Sequence, residues 1–309
     1  MNEQQRSNDG QPLTYIMSPS YSGSTLLTFL LANHPEIATI GELKASAIGD
    51  VNAYTCSCGD HFTSCEFWQQ MVVAMRRRGR EFSLDQFGTH FRTRSAVVDR
   101  LLRATVRGAV FEHARTLATC LMPSCRSVRD DIIEQNRVFI EETKRIQAAS
   151  HFLDGSKDPI RLKHFHDSGR WNIKVIRLVR DGRGVANSYM KHVGVSMGVA
   201  AEEWALKCRE MSHVMARLPK GRVLTVHYED LCRNTPEVLE NILTFMGLDA
   251  SDFPSDYDHA KHHILGNSMR LRSSGEVRLD EKWRRMLSDD DLRQFDSIGG
   301  RVNRELGYR

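Results

Sequence analysis

The sequence predicts an α/β domain, with a central, mostly parallel sheet flanked by helices and one α-helical insertion. Three observations carry that reading. Short apolar, β-prone runs recur along the chain and each is followed by a helical pattern, the order that a parallel sheet with crossover helices requires. Between Phe67 and Ser150 the rhythm changes to helical periods without strand candidates, as in "VRDDIIEQNRVFIEETKRIQAA". The length of 309 residues suits one domain over 1–309 with residues 67–150 inserted, since α/β units of about 250 residues occur singly.

The first strand is expected at Leu13–Met17, "LTYIM", which runs into a turn rich in Ser and Gly and then into the apolar helix "TLLTFLLANHP". His34-Pro35 ends that helix, because proline restricts the residue before it and cannot continue the hydrogen-bond ladder. A strand that ends in small residues and feeds a helix N-terminus offers free backbone N–H groups and the positive end of a helix dipole, which together bind an anion. Gly23 allows close backbone approach, and Ser22, Ser24 and Thr25 add hydroxyl donors. This is not a Walker A loop, because its lysine and second glycine are missing, nor is "SYSGS" a G-x-S-x-G nucleophile elbow.

The next strands are expected in "HFLDGSK" from His151, "NIKVIRLVRD" from Asn172 and "RVLTVHYEDL" from Arg222. The third of the four strands ends at Arg180, with Ser188 eight residues on, inside the helix that begins near Asp181. An arginine at that point can hold a phosphate bidentately, and a serine on the adjoining helical face can reach the same group. Two strand-loop-helix units, each fitted for one phosphate, imply a nucleotide phosphorylated at both ends. Later, Thr235 is expected to cap a helix with Pro236 at its first position and Gly247 closing it, and Ser288 with Asp291 forms a capping box for the last helix.

With a formal charge of +4 and a pI of about 8.7, nothing demands nucleic acid. Nine arginines between Met71 and Val110 face only Glu81, Asp85 and Asp99. They form a solvated helix face, or a dock for an anionic acceptor or membrane surface. The first 12 residues are polar, so residues 1–12 are expected to be disordered, with no signal peptide and a cytoplasmic chain. Oligomeric state is not legible.

With its two motifs in this order, the chain resembles the PAPS-dependent sulfotransferases, of the carbohydrate-type or tyrosylprotein-like branch. These enzymes move a sulfonate from 3'-phosphoadenosine 5'-phosphosulfate (PAPS) to an acceptor and release PAP. The resemblance runs from about residue 14 to "ELGYR" at the end, apart from the insertion, and implies a P-loop-like fold. It implies that Tyr21, Ser22, Gly23, Ser24 and Thr25 bind the 5'-phosphosulfate, that Arg180 and Ser188 bind the 3'-phosphate, and that Tyr228 of "YED" steadies the nucleotide. A late basic segment containing Asn267, Arg270 and Arg272 resembles the loop that closes over the 3'-phosphate. Glu42 of "IGELK" resembles the base of the tyrosine branch, and Lys157 of "DGSKDP" lies where other members carry a catalytic His or Lys. Asp154 and Asp158 flank Lys157 and either hold it charged or cap the turn.

One departure matters. Tyr21 stands where the family has Lys or Arg, and a neutral phenol offers a single donor. Either Lys157 supplies the missing charge, the reading preferred, or the chain is a decayed enzyme that binds nucleotide without turnover. A phosphotransferase with a degenerate phosphate loop is weaker still. The acceptor expected is the hydroxyl of a carbohydrate or glycolipid, with a peptidyl tyrosine or small metabolite as alternatives.

Seven cysteines argue for thiols or metal ligands over a disulfide framework. Cys56, Cys58, His61 and Cys65 fall within ten residues and could form a tetrahedral zinc site or a labile disulfide. Because C-x-C is tighter than the usual knuckle spacing, loop thiols with Phe67 and Trp68 packed into the core are expected, and no metal is assigned. Cys120, Cys125, Cys208 and Cys232 read as buried or half-buried thiols.

Overall fold

Leu13, Tyr15 and Met17 of β1 (Gln11–Met17) enter one hydrophobic core while Ile16 enters another, so this strand is covered on both faces. That is why it reads as a continuous apolar run and not as an alternating one. The computed structural model describes residues 10–44, 48–106, 108–253, 262–266, 271 and 277–309. After β1 come α1 (Ser24–Ala32), β2 (Ile37–Ala38), α2 (Glu66–Arg77), α3 (Ala96–Arg103), α4 (Ala109–Leu121) and α5 (Pro123–Ile146). Then follow β3 (His151–Asp154), α6 (Pro159–Ser168), β4 (Trp171–Val179), α7 (Gly182–Val193), α8 (Met197–Met215) and β5 (Val223–His227). The chain finishes with α9 (Tyr228–Arg233), α10 (Thr235–Met246), α11 (Trp283–Met286) and α12 (Asp289–Glu305).

The five strands lie in the order β2-β3-β1-β4-β5 and every pairing is parallel. In such a sheet, ligand sites form outside the carboxyl ends of the strands. Those ends here lead into Ser18, Gly155, Arg180 and Tyr228. The two-residue β2 escaped sequence reading because a run so short shows no period.

Residues 66–146 supply four helices, and Phe67, Trp68, Val98 and Phe139 share one core with Leu13, Phe152 and Val175 of the sheet. These helices therefore pack on the sheet through one hydrophobic core. Three local expectations are corrected. Gln11 and Pro12, expected in a disordered leader, pair with Trp171 and Asn172 as the start of β1. Thr235 is inside its helix, with Asn234 at the cap, because its hydroxyl donates to the Leu231 carbonyl at 2.7 Å. Cys120 is exposed. The Ser288–Asp291 capping box forms as expected. Among the described residues, no helix is long and apolar enough to cross a membrane.

His34, His151 and His164 are buried in this frame, and the last two bear on stability. His151 pairs with Thr14 Oγ1 at 2.8 Å, and His164 donates from Nε2 to the Leu102 carbonyl at 2.9 Å. Burial, ahead of neighbouring charges, pushes both down to about 4. Between pH 6.5 and 4 the unfolded chain therefore binds protons that the folded chain does not, so stability falls as pH is lowered. From pH 7 to pH 5 the two together remove on the order of 3–4 kcal/mol. Urea unfolding at the two pH values checks this, and an unchanged midpoint would contradict it.

Candidate active site

The turn after β1 is built to leave donors unspent. Gly23, at the N-cap of α1, has φ 90°, and no side chain caps the helix. A Cβ at Gly23 would lie 2.5 Å from the Tyr228 ring, so only glycine permits both the left-handed turn and this approach. The Ser18 and Ser22 hydroxyls are fully buried and have no hydrogen-bond partner. A buried polar atom without a partner costs roughly 1–3 kcal/mol. Two of them beside an uncapped helix N-terminus fit an anion that supplies the missing acceptors.

Arg180, just past β4, is 8% exposed and rests on the Tyr228 ring, 4.5 Å from its centroid. Its guanidinium donates to the Tyr21 carbonyl at 2.8 Å and to the Asp280 carbonyl at 2.7 Å. On its other side is Gly184, whose Cβ would lie 3.3 Å from Nε, and Gly184 also accepts the Ser188 hydroxyl at 3.0 Å. The structure thus gathers Tyr21, Ser22, Gly23, Arg180, Ser188 and Tyr228 around one corner of the sheet. The Tyr228 hydroxyl accepts from Asp280 N at 3.2 Å, and burial raises its pKa. Tyr21 packs edge-on to Tyr189 and stacks on His192, and burial raises its pKa, keeping it a neutral donor at pH 7. Asn267, Arg270 and Arg272 lie outside the described residues.

Glu42 and Lys157, separated by 115 positions, meet at 2.7 Å. Their loops are stitched together by Gly155 N, which donates to the Gly41 carbonyl at 2.7 Å. Gly41 has φ 75°, and a Cβ there would strike the Leu265 carbonyl at 2.4 Å. Of the three non-glycine residues with positive φ among those described, Tyr21 and Lys157 both line one cavity of about 500 Å³, which Glu42 also lines. Backbone strain of this kind, on the order of 1–3 kcal/mol per residue, collects where a site needs a particular side-chain direction.

The flanking aspartates divide their work. Asp158 caps α6 through Ile160 N at 3.1 Å and pairs with Lys44 at 3.1 Å. Asp154 turns away from Lys157 to hold Ser156 N at 2.9 Å and Arg161 Nε at 3.0 Å. The charge partner of Lys157 is therefore Glu42.

Of the rest of the cavity wall, the sequence offered only Arg103, as one of the nine arginines of the basic segment. Lys44, His90, Arg103, Lys207 and Glu210 line it, brought in from loops and helices far apart in the chain. Lys44 pairs with Asp158 at 3.1 Å and Lys207 with Glu210 at 2.8 Å, so the wall carries neighbouring donors and acceptors, while Arg103 pairs with Asp99 outside it. His90 is pushed down to about 4 by burial, then by Lys44, Arg161 and other cations, and is neutral at pH 7. Other arginines of the basic segment brace α5: Arg78 pairs with Glu141 and Glu142, and Arg80 with Asp131.

The model of the "Sulfotransferase family" matches residues 12–252. "Carbohydrate sulfotransferase 1" of Danio rerio is 26% identical, the match covering 65% of this chain and 56% of that protein. Its Homo sapiens counterpart is 28% identical over 48% of this chain and 42% of that protein. The chain therefore spans about half the length of the curated relatives it matches. The sulfotransferase domain of the Synechococcus PCC 7002 olefin synthase superposes with a TM-score of 0.50 at 19% identity, covering 94% of this chain and 96% of that one, a likeness of fold.

Proposed function

The chain belongs to the sulfotransferase family, and on that premise we propose that it transfers a sulfonate from PAPS to a carbohydrate hydroxyl. The observation that carries the reading is the Glu42–Lys157 pair at 2.7 Å in a polar cavity whose wall also includes Ser18 and Tyr21 of the Ser-Gly turn.

In this reading the amides of α1 and the Ser22, Ser24 and Thr25 hydroxyls hold the 5'-phosphosulfate of the substrate. Glu42 accepts the proton of the acceptor hydroxyl as its oxygen attacks sulfur. Lys157 supports charge on the departing 5'-phosphate oxygen of PAP, taking the part that Tyr21, a neutral phenol, cannot. The S–O bond to the acceptor forms as the S–O bond to the phosphate breaks, and no metal or hydride is consumed. The resting Glu42–Lys157 contact must part for both roles, which is why each partner must reach the cavity and not a buried core.

Support for a carbohydrate acceptor comes from the wall, where the Lys44–Asp158 and Lys207–Glu210 pairs offer neighbouring donors and acceptors to a polyol, and from the names of the relatives. Exposed Arg76, Arg77, Arg92 and Arg94 are the groups that would meet an anionic acceptor or membrane surface.

The deciding experiment is calorimetric binding of PAP against ADP on wild type and Arg180→Ala. Wild type is expected to prefer PAP, and the variant to lose about 30-fold or more of that preference, as for a truncated charged hydrogen-bond partner. Because Arg180 also braces the Tyr21 carbonyl, the PAP/ADP ratio, not the total affinity, reads the 3'-phosphate. Equal binding of PAP and ADP by wild type would sink the proposal.

A further inference from the structure

Three sulfurs and one imidazole nitrogen from two distant segments converge at one point. Cys56, Cys58 and Cys65 come from the loop before α2, and His263 from the stretch 262–266, 198 positions beyond Cys65. Their ligand atoms all lie within 4.8 Å of one another. Cys58 Sγ and Cys65 Sγ are 3.7 Å apart, and His263 Nδ1 is 3.3 Å from Cys65 Sγ and 3.6 Å from Cys56 Sγ. A disulfide would need about 2.05 Å. Zinc bonds of about 2.3 Å to sulfur and 2.0 Å to nitrogen give a tetrahedron with edges near ~3.8 and ~3.5 Å; three of the six edges, at 3.7, 3.3 and 3.6 Å, lie close to those values and the rest within 4.8 Å.

We propose that Cys56, Cys58, Cys65 and His263 form a structural zinc site. Three thiolates and one imidazole fill the coordination sphere, so no position is left for substrate water. Binding is balanced by the release of three thiol protons as one Zn²⁺ is taken up. The His263 ring is aimed by stacking on Phe67, centroids 4.6 Å apart and planes within 5°. His61, the histidine nearest in sequence, is turned elsewhere. It is exposed, with Nδ1 2.7 Å from Thr63 Oγ1 and Nε2 donating to the Asn52 carbonyl at 2.6 Å.

The consequence reaches the cavity. Ser57, between two ligands, donates to the His262 carbonyl at 2.6 Å and accepts from Ile264 N at 2.7 Å. Leu265 N then donates to the Ile40 carbonyl at 2.7 Å, and a Cβ on Gly266 would lie 3.8 Å from Glu42 Oε1 and 4.0 Å from Thr25 Oγ1. Zinc would clamp a late segment of chain against the loop that carries Glu42, closing a long loop by a bond that the unfolded chain cannot make.

The test is the metal content of the full chain, purified without chelator and with reductant. One zinc per chain is expected, falling by about tenfold or more in Cys65→Ser and His263→Ala, since even outer-shell partners of a metal are worth that much, and unchanged in His61→Ala. Should the ligand variants fail to fold, cobalt substitution of wild type is read instead, with intense tetrahedral visible bands and sulfur-to-metal charge transfer expected. Substoichiometric zinc that zinc addition does not restore, iron in its place, loss of zinc in His61→Ala, or a weak octahedral cobalt spectrum would each overturn the assignment. So would two thiols missing when protein kept free of reductant is unfolded in chelator and titrated, where zinc-bound thiols react and a disulfide does not.

Discussion

Glu42→Gln is expected to lower kcat for sulfonyl transfer by about 10²–10⁴-fold, the range for removal of a positioned general base. The amide keeps the size of the carboxylate, and its oxygen can still accept from Lys157, now at 2.7 Å. Cavity shape and PAP affinity should therefore survive while the proton acceptor is lost. A fall in kcat with KM for PAPS nearly constant separates this from damage to the nucleotide site. Steady-state kinetics with a carbohydrate acceptor would check it, and an undiminished kcat would remove Glu42 from the mechanism and leave the cavity without its base.

Asp154→Ala is expected to destabilise the fold by about 3–5 kcal/mol, the cost of leaving one member of a buried ion pair alone. Asp154 is fully buried and Arg161 is 2% exposed. Arg161 donates to Asp154 at 3.0 Å, to the Thr89 carbonyl at 2.8 Å and to Asn136, so one guanidinium joins β3, the loop before α3, and α5. Without the carboxylate that charge is stranded, and Ser156 N and its hydroxyl lose their acceptor as well. Urea denaturation should show a lower midpoint with an unchanged slope. Asp154→Asn, which keeps an acceptor but not the charge, should fall between. Since the same carboxylate shapes the turn that points Lys157 into the cavity, transfer activity should fall with stability. A wild-type midpoint in the alanine variant would show that the guanidinium finds water or another acceptor.

Four strands were legible because burial on both faces of a parallel sheet writes itself as short apolar runs, and the turn at Gly23 was legible because uncapped helix ends need small residues next to them. The Thr235 cap was misplaced because its hydroxyl had a better acceptor in the preceding helix, at Leu231. Sequence proximity likewise favoured His61 for the cysteine cluster, where spatial proximity selects His263.

Local chemistry, then, determined the alternation of strand and helix and marked the Gly23 turn and Arg180 with Ser188 as phosphate-site candidates, since each depends on residues within a few positions of one another, whereas Glu42 and Lys157 became candidates only through the family resemblance. Only the tertiary structure decided that Lys157 pairs with Glu42 and not with Asp154 or Asp158. It alone drew Lys44, His90, Arg103 and Lys207 into one wall, and brought His263 to the three cysteines. These partners are separated by tens to hundreds of residues, and their meeting is set by how helices and loops pack over the sheet, which no local spacing records.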